Sequence, residues 1–269
     1  MTQSPENKKI DLLGEMDGFR VEVNRDAARG DIILDRPPLN IIRMPQRDQM
    51  SAAFAALDCD DRVRVIVLRG AGENFSSGGE IKGFLESSPE HVSSLAKNVM
   101  APERCHKPVV AAIQGYCFGV GFEFCLACDF RIVTETAFVG LPEQRIGMIP
   151  GSGGSIRLLH MIGLQRTKDI VMRSRRISGP QAYDWGIALD CVAFNSLDAA
   201  VVSLVKELSE LSPLAQRTSK RVLNGAQDAP LHVGIELEGQ AYGRLRSSHD
   251  FREGVESFHE KRKADFDGT

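Results

Sequence analysis

Short apolar runs and helix-like segments alternate along the first part of the chain. Residues 63–70 (VRVIVLRG) and 107–115 (KPVVAAIQG) are largely apolar runs that end in glycine, which is typical of strands covered on both faces. Residues 46–60 and 119–129 instead carry apolar side chains at helical spacing. Strands that alternate with helices predict an α/β sheet with crossover connections.

The pattern changes from Ser155 onward, where helical spacing prevails and strand signals are few. No Pro-rich or Ser-rich linker and no regular repeat separates this part from the rest. We therefore predict a polar N-terminal extension at 1–18, an α/β core domain at 19–200 and a helical region at 201–269.

Composition and charge disfavour two classes of function, nucleic-acid binding and membrane association. Of 269 residues, 42% are hydrophobic and 26% charged, as in ordinary globular proteins, and the net charge of −3 disfavours general binding to a phosphate backbone. The polar N-terminus lacks the apolar core of a secretory signal, and no apolar run approaches the roughly 18 residues of a membrane span. Six scattered cysteines fit a reducing compartment. We expect a cytoplasmic protein that binds neither nucleic acid nor membrane.

Two glycine-rich loops are candidates for binding an oxyanion. Residues 70–84 (GAGENFSSGGEIKGF) follow a predicted strand, and residues 115–121 (GYCFGVG) open a predicted helix. Glycines leave backbone N–H groups uncovered, and the first amides of a helix have no internal acceptor. Two such amides that converge on one point would form an oxyanion hole, although glycine loops also serve as plain turns.

Two isolated carboxylates lie in apolar surroundings near these loops. Glu123 is placed about one turn into the helix after the second loop, and Glu143 follows a short strand. Apolar surroundings disfavour the charged form, so the pKa of such a group rises towards the range used for proton transfer. Either residue alone could equally be a surface acid; together, beside glycine loops, they favour acid–base catalysis.

Motifs for other chemistries are missing from the sequence. There is no P-loop, dinucleotide fingerprint or two-histidine metal motif, and no histidine lies in a nucleophile-triad context. We therefore expect a reaction that needs neither a metal nor a redox cofactor.

Several segments resemble the enoyl-CoA hydratase/isomerase (crotonase) family over about residues 19–266. They are DRPPLN at 35–40, VIVLRGAGENFSSGGEIKGF at 65–84, the run from Lys107 to Leu158 and REGVESFHEKRKADF at 252–266. The resemblance implies a crotonase-like spiral of ββα units followed by C-terminal helices, assembled as a homotrimer or homohexamer. It also implies acyl-CoA thioesters as ligands, so that coenzyme A enters as part of the substrate.

The resemblance implies a role for each residue of the catalytic centre. Backbone amides of Gly79 and Val120 would bind the thioester oxygen, Glu123 would activate water, and Glu143 would donate the proton. The amide of Gly151 would also contact the water. Val120 stands where the family usually has glycine, but its N–H is retained.

Five further positions correspond to the family's coenzyme A site. Pro38 and Leu39 correspond to positions that wrap the pantetheine and adenine portions of coenzyme A. Lys82 lies near the entrance of the same site. Phe258 and Lys261 match C-terminal positions that approach the nucleotide, often from a neighbouring subunit. The alternative for Lys261 and its neighbours is a solvated helix end.

Retention of both acids makes the chain most like an enoyl-CoA hydratase, which adds water across the 2,3 double bond to give a 3-hydroxyacyl-CoA. The alternatives are an enoyl-CoA isomerase and a hydratase of cyclic or aromatic-pathway dienoyl thioesters. The two acids argue against a non-catalytic acyl-CoA binder, and the acidic balance argues against an RNA-binding homologue. Residues 84–104 are expected to line the acyl pocket, without a signature for chain length.

Overall fold

The computed structural model describes residues 16–269, so most of the predicted extension at 1–18 lies outside the described residues. The strands are β1 (Phe19–Asn24), β2 (Arg29–Leu34), β3 (Val65–Gly70), β4 (Val109–Ile113), β5 (Tyr116–Phe118), β6 (Phe130–Thr134), β7 (Phe138–Gly140), β8 (Ile177–Ser178) and β9 (Asp190–Val192). The helices are α1 (Met44–Asp58), α2 (Ile81–Glu86), α3 (Pro89–Ser94), α4 (Ala96–Val99), α5 (Ala101–Arg104), α6 (Val120–Ala127), α7 (Gly154–Met172), α8 (Gly179–Asp184), α9 (Leu197–Ser209), α10 (Pro213–Ala226), α11 (Leu231–Leu245) and α12 (His249–Glu260).

The main sheet is covered on both faces, as the continuous apolar runs predict. Its order is β1-β2-β3-β4-β6-β9, and every neighbouring pair except β1 and β2 is parallel. Along β3, Ile66 and Leu68 belong to the larger hydrophobic cluster, whereas Val65 and Val67 pack with Val201 of α9 on the opposite face. Because side chains alternate along a strand, this apolar run supplies two cores.

The C-terminal helices begin on the sheet and then leave it. The predicted boundary at residue 200 falls inside α9, whose buried positions Val201, Val205 and Leu208 complete the second cluster. The helical spacing that starts near Ser155 corresponds first to α7, which is interrupted at Gly163 by a non-helical backbone conformation. No helix in the described part of the chain is long and apolar enough to cross a membrane.

A second, three-stranded sheet positions the candidate site, and only its strand β7, the short strand predicted before Glu143, has a signal in the sequence. Its order is β5-β7-β8, with β5 parallel to β7 and β7 antiparallel to β8. Phe118 at the end of β5 pairs with Gly140 at the end of β7. The chain therefore leaves two neighbouring parallel strands at the same edge of this sheet.

Candidate active site

The two isolated acids follow those neighbouring strand ends. Glu123 lies in the first turn of α6, directly after β5, and Glu143 begins a single 3-10 turn (Glu143–Ile146) directly after β7. The amide of Gly119 donates to the carbonyl of Gly140 at 3.1 Å, which joins the two segments. An added Cβ on Gly119 would lie 3.2 Å from Oε1 of Glu143. The parallel pairing thus brings together two acids that are 20 positions apart.

The glycine loop after β3 packs against the loop that opens α6. Ser76 forms a parallel bridge with Cys117, and the amide of Phe118 donates to the Ser76 carbonyl at 2.9 Å. Gly78 has a φ of +112°, and a Cβ on it would lie 3.2 Å from the Phe118 carbonyl oxygen. Gly119 has a φ of +53°. Glycine suits both positions because of the left-handed backbone and the close approach of the loops.

Two amides in these adjoining loops have no protein acceptor. Across residues 16–269, neither the N–H of Gly79 nor that of Val120 donates a hydrogen bond. Val120 is the first residue of α6, where amides are free of internal partners and the helix dipole is positive. Its side chain is buried in the main hydrophobic cluster. Valine in place of glycine therefore leaves the amide in place, and the pairing of Gly79 with Val120 in an oxyanion hole remains a prediction.

Glu123 is buried and held by the start of α7. Its side chain is 3% exposed, and its Oε1 accepts hydrogen bonds from the amides of Ser152 and Gly154 at 2.8 and 3.1 Å. These donors lie at the N-terminus of α7, where backbone amides and the dipole stabilise a negative charge. No described residue donates to the other oxygen, Oε2, which is therefore available to a ligand.

The loop that carries these donors is itself fixed by Arg157. The guanidinium donates to the Ser152 carbonyl at 2.8 Å and to Glu103 Oε2 at 2.7 Å. Gly154 is sterically required beside the acid, because an added Cβ would lie 2.9 Å from Cγ of Glu123. By contrast, Gly151 is exposed and has nothing within 4 Å of an added Cβ. Its predicted contact with the reacting water stays a prediction.

Glu143 has the opposite surroundings. Its Oε2 is buried and, within the described chain, accepts no hydrogen bond. Burial raises the pKa of Glu143 to about 7, and the negative charge of Glu123 acts in the same direction. A carboxyl group with this pKa exchanges its proton near neutral pH, as a general acid or base requires. The site therefore pairs an amide-stabilised carboxylate with a carboxyl group that readily holds a proton.

The structure brings three of the five predicted coenzyme A positions to the glycine loops. The carbonyl of Leu39 accepts from the amide of Ser77 at 2.8 Å, and that of Pro38 accepts from Asn74 Nδ2 at 2.9 Å. Lys82 is exposed in the first turn of α2, directly after the same loop. The geometry thus gathers these three residues beside Gly79.

Phe258 and Lys261 lie at the far end of α12. Phe258 is 80% exposed, and Lys261 ends the helix with a left-handed φ of +56°. No hydrogen bond or ion pair described here connects either of them with Pro38, Leu39 or Lys82. A role in binding a nucleotide on a neighbouring subunit stays a prediction.

Sequence reasoning missed Arg47 and Arg157. Arg157 supports the Glu123 loop, whereas Arg47 is a buried residue of α1 whose terminal nitrogen lies 3.0 Å from an added Cβ on Gly79. Both lie on amphipathic helices that carry other charged residues, so neither stands out in the pattern. A charged residue at a position of the buried stripe of α1 is the one signal that could have identified Arg47.

The larger surface cavities lie away from these acids. One of about 740 Å³ is lined by α10, α11 and neighbouring segments, and contains none of the residues predicted to be catalytic. We place the chemistry at the acids rather than in this cavity, because the free amides and the two contrasting carboxylates meet there.

Comparisons with known proteins show the family of this chain. Residues 25–269 match the family model described as enoyl-CoA hydratase/isomerase. The chain is 31% identical over its whole length to "Probable enoyl-CoA hydratase 2, mitochondrial" of Arabidopsis thaliana, 88% of which is covered. It is 36% identical to the enoyl-CoA isomerase/hydratase fer4 of Mycosarcoma maydis, with 88% of this chain and 92% of that protein covered.

A solved structure gives the same result for the fold. The crystal structure of an enoyl-CoA hydratase from Bacillus anthracis superposes with a TM-score of 0.87 at 30% identity, covering 94% of this chain and 100% of that one. The predicted α/β crotonase-like fold is thereby confirmed. The chain belongs to the enoyl-CoA hydratase/isomerase family.

Proposed function

We propose that this protein is an enoyl-CoA hydratase, which adds water across the 2,3 double bond of an enoyl-CoA thioester to give a 3-hydroxyacyl-CoA. The observation that carries the proposal is the pair of carboxylates in contrasting environments beside two free amides. Hydration needs a base for water and an acid for the α-carbon, and a pair of acids whose environments differ in this way fits the two roles.

In the proposed reaction the thioester oxygen accepts hydrogen bonds from the amides of Gly79 and Val120. These donors stabilise the negative charge that collects on the oxygen as water attacks the β-carbon. Glu123, held by the Ser152 and Gly154 amides, accepts the proton of the attacking water through its free Oε2. Glu143 delivers its proton to the α-carbon, which its pKa of about 7 permits near neutral pH.

The substrate's coenzyme A is proposed to lie along Pro38, Leu39 and Lys82. The loop that presents Pro38 and Leu39 is fixed by Asn40, whose Nδ2 donates to the carbonyls of Ala71 and Asn74 at 2.9 and 2.8 Å. A fixed loop reduces the entropy lost when a flexible thioester is ordered. In this arrangement the thioester enters beside Gly79, and its acyl group extends towards the acids.

The experiment that tests the proposal is turnover against a panel of enoyl-CoA thioesters with short, long, branched, cyclic and aryl acyl groups. Loss of the enoyl-thioester absorbance and formation of the 3-hydroxy product by mass spectrometry are the readouts. Hydration of at least one class supports the proposal. Products of unchanged mass with a shifted double bond would contradict the proposal and indicate an enoyl-CoA isomerase.

An enoyl-CoA isomerase is the second candidate, since moving a double bond needs only one group that shuttles a proton. The pKa of Glu143 near 7 favours this role too. The name of the fungal relative includes both reactions. Glu123 supports the hydratase proposal, because a buried carboxylate with one oxygen left free suits the activation of water and has no part in a one-acid proton shuttle.

We also propose a homotrimer or homohexamer. Large apolar side chains are exposed on the C-terminal helices, including Leu223, Leu231, Ile235, Tyr242 and Phe258. Exposed apolar surface of this kind is typical of subunit contacts. Light scattering of the purified protein tests the proposal, and a fully active monomer would contradict it.

A further inference from the structure

Arg47 is a buried cation that has no hydrogen-bond or ion-pair partner among residues 16–269. Its side chain lies on the inner face of α1 and the residue is 3% exposed. Its Nε is buried without an acceptor, and no described residue forms a hydrogen bond or ion pair with any part of the guanidinium. Arg157, by contrast, is paired with Glu103.

An unpaired buried guanidinium is costly, so its presence needs a reason. Removing a charge from water without a compensating partner is strongly unfavourable in proteins, and burial lowers the pKa of Arg47 to about 10. With that pKa the group still carries its positive charge at neutral pH. The charge therefore persists in a place where the described chain supplies no neutralising contact.

The guanidinium faces the proposed thioester site. One terminal nitrogen lies 3.0 Å from an added Cβ on Gly79, the residue whose amide is proposed to hold the thioester oxygen. The group lies over the ring of Phe84 with 5.5 Å between its central carbon and the ring centroid. The negative charge of Glu123 also acts on it and raises the pKa of Arg47, although the two side chains form no ion pair.

This position lies next to the acyl part of the ligand. A group that reaches Arg47 from a thioester held at Gly79 must sit only a few bonds from the carbonyl carbon. The Phe84 ring covers one face of the guanidinium, which leaves its edge for hydrogen bonds. The edge of the guanidinium complements a carboxylate, because its planar array of N–H groups donates two parallel hydrogen bonds.

We propose that Arg47 selects acyl-CoA substrates whose short acyl chain ends in a carboxylate, and that this carboxylate neutralises the buried guanidinium. The inference rests on the proposed binding of acyl-CoA at this site and adds the chemical class of the acyl group. A neutral straight-chain acyl group would instead leave the cation unpaired beside apolar atoms.

Binding of two saturated thioesters tests the inference without turnover. Glutaryl-CoA and pentanoyl-CoA have five-carbon acyl chains that differ in a terminal carboxylate or methyl group, and neither can be hydrated. By calorimetry, the wild-type protein is expected to bind glutaryl-CoA about 10- to 100-fold more tightly, the range for a hydrogen-bonded charged pair. Arg47→Leu should abolish or reverse this preference, and Arg47→Lys should keep part of it.

The controls separate this role from a general effect of charge or folding. Arg62→Leu removes the same charge at an exposed turn and should keep the wild-type preference. Arg47→Leu should melt at the wild-type temperature or higher, because it replaces an unpaired buried charge by an apolar group.

Each contrary result has a distinct meaning. Equal or tighter binding of pentanoyl-CoA by the wild type, or an unchanged preference in Arg47→Leu, would overturn the inference and leave the hydratase proposal standing. Failure of both thioesters to bind would overturn the proposed coenzyme A site and this inference with it.

Discussion

Two regions of the candidate site surround a glutamate side chain with opposite environments. At the junction of α6 and α7, Glu123 is almost fully buried, yet its Oε1 accepts two backbone amides and the positive end of a helix faces it. In the turn after β7, Glu143 is less buried, but its Oε2 has no donor among the described residues. Burial alone therefore does not decide the state of a carboxyl group.

The difference lies in the local hydrogen-bond donors, which fits the base and acid roles proposed for the two residues. Amides and a helix dipole can replace the water that a buried carboxylate loses. At Glu143, burial outweighs the single backbone hydrogen bond to the carboxyl group and raises its pKa to about 7. Two glutamates that are alike in sequence thus become suited to opposite halves of a proton-transfer reaction.

The largest expected effect comes from removing each acid in turn. Glu123→Gln should reduce hydration by about 10²–10⁴-fold, because a positioned base contributes that much, while exchange of the substrate's α-protons through Glu143 should survive. Glu143→Gln should suppress both. Absorbance of the enoyl thioester and deuterium uptake from heavy water measure the two processes. Wild-type hydration by Glu123→Gln would make Glu123 a bystander and favour the isomerase.

The next largest effect concerns the Val120 amide, which is proposed to hold the thioester oxygen. Val120→Pro removes the N–H at the start of α6, and loss of one oxyanion donor costs about 10²–10³ in turnover. Proline is tolerated in the first turn of a helix, so the fold should survive. Val120→Gly keeps the amide and should retain most activity. Equal turnover by the proline variant, with an unchanged circular dichroism spectrum, would place the oxyanion hole elsewhere.

Much of this site could be predicted from the sequence, because local patterns specify it. The buried strands β3 and β4, helix α1 and the helical C-terminal part follow from apolar spacing. Glu123 and Glu143 stand out because each interrupts an apolar stretch. The glycines gave a further signal, since left-handed positions such as Gly78 and Gly119 favour that residue.

The rest depends on contacts between distant segments. Strands β5, β7 and β8 have only two or three residues each, too few for a period to show, although their pairing aligns the acids. The donors to Glu123 come from a loop about 30 positions away. For Arg47 the sequence carries one signal, a charge in the buried stripe of α1, and its position beside Gly79 is visible only in the structure.

A smaller effect should follow from disturbing the donors while keeping the acid. Gly154→Ala would bring a methyl group to 2.9 Å from Cγ of Glu123 and displace the carboxylate from its amides. We expect about 10-fold slower hydration, since small misplacements of a reacting group are costly. Gly151→Ala, which has open space at its Cβ, should lose less. If the two variants lose equal activity, the steric account of Gly154 is wrong.

The smallest expected effect is on stability and concerns Glu143 alone. Its pKa is about 7 in the folded chain, against an ordinary value of 4.5. Between these values the unfolded chain has already lost the proton that the folded chain keeps, so unfolding becomes easier as pH rises, and the effect levels off above pH 7.

Glu143→Gln removes this titration. The difference in the free energy of unfolding between this variant and the wild type should therefore grow by about 1–3 kcal/mol from pH 4.5 to pH 8. This is less than the full pKa shift implies, because the carboxyl group is partly exposed. Urea titrations at several pH values measure the difference, and Glu86→Gln on exposed α2 provides the control. A difference that stays constant across this range would mean that Glu143 titrates as an ordinary exposed acid, and the contrast with Glu123 would then be lost.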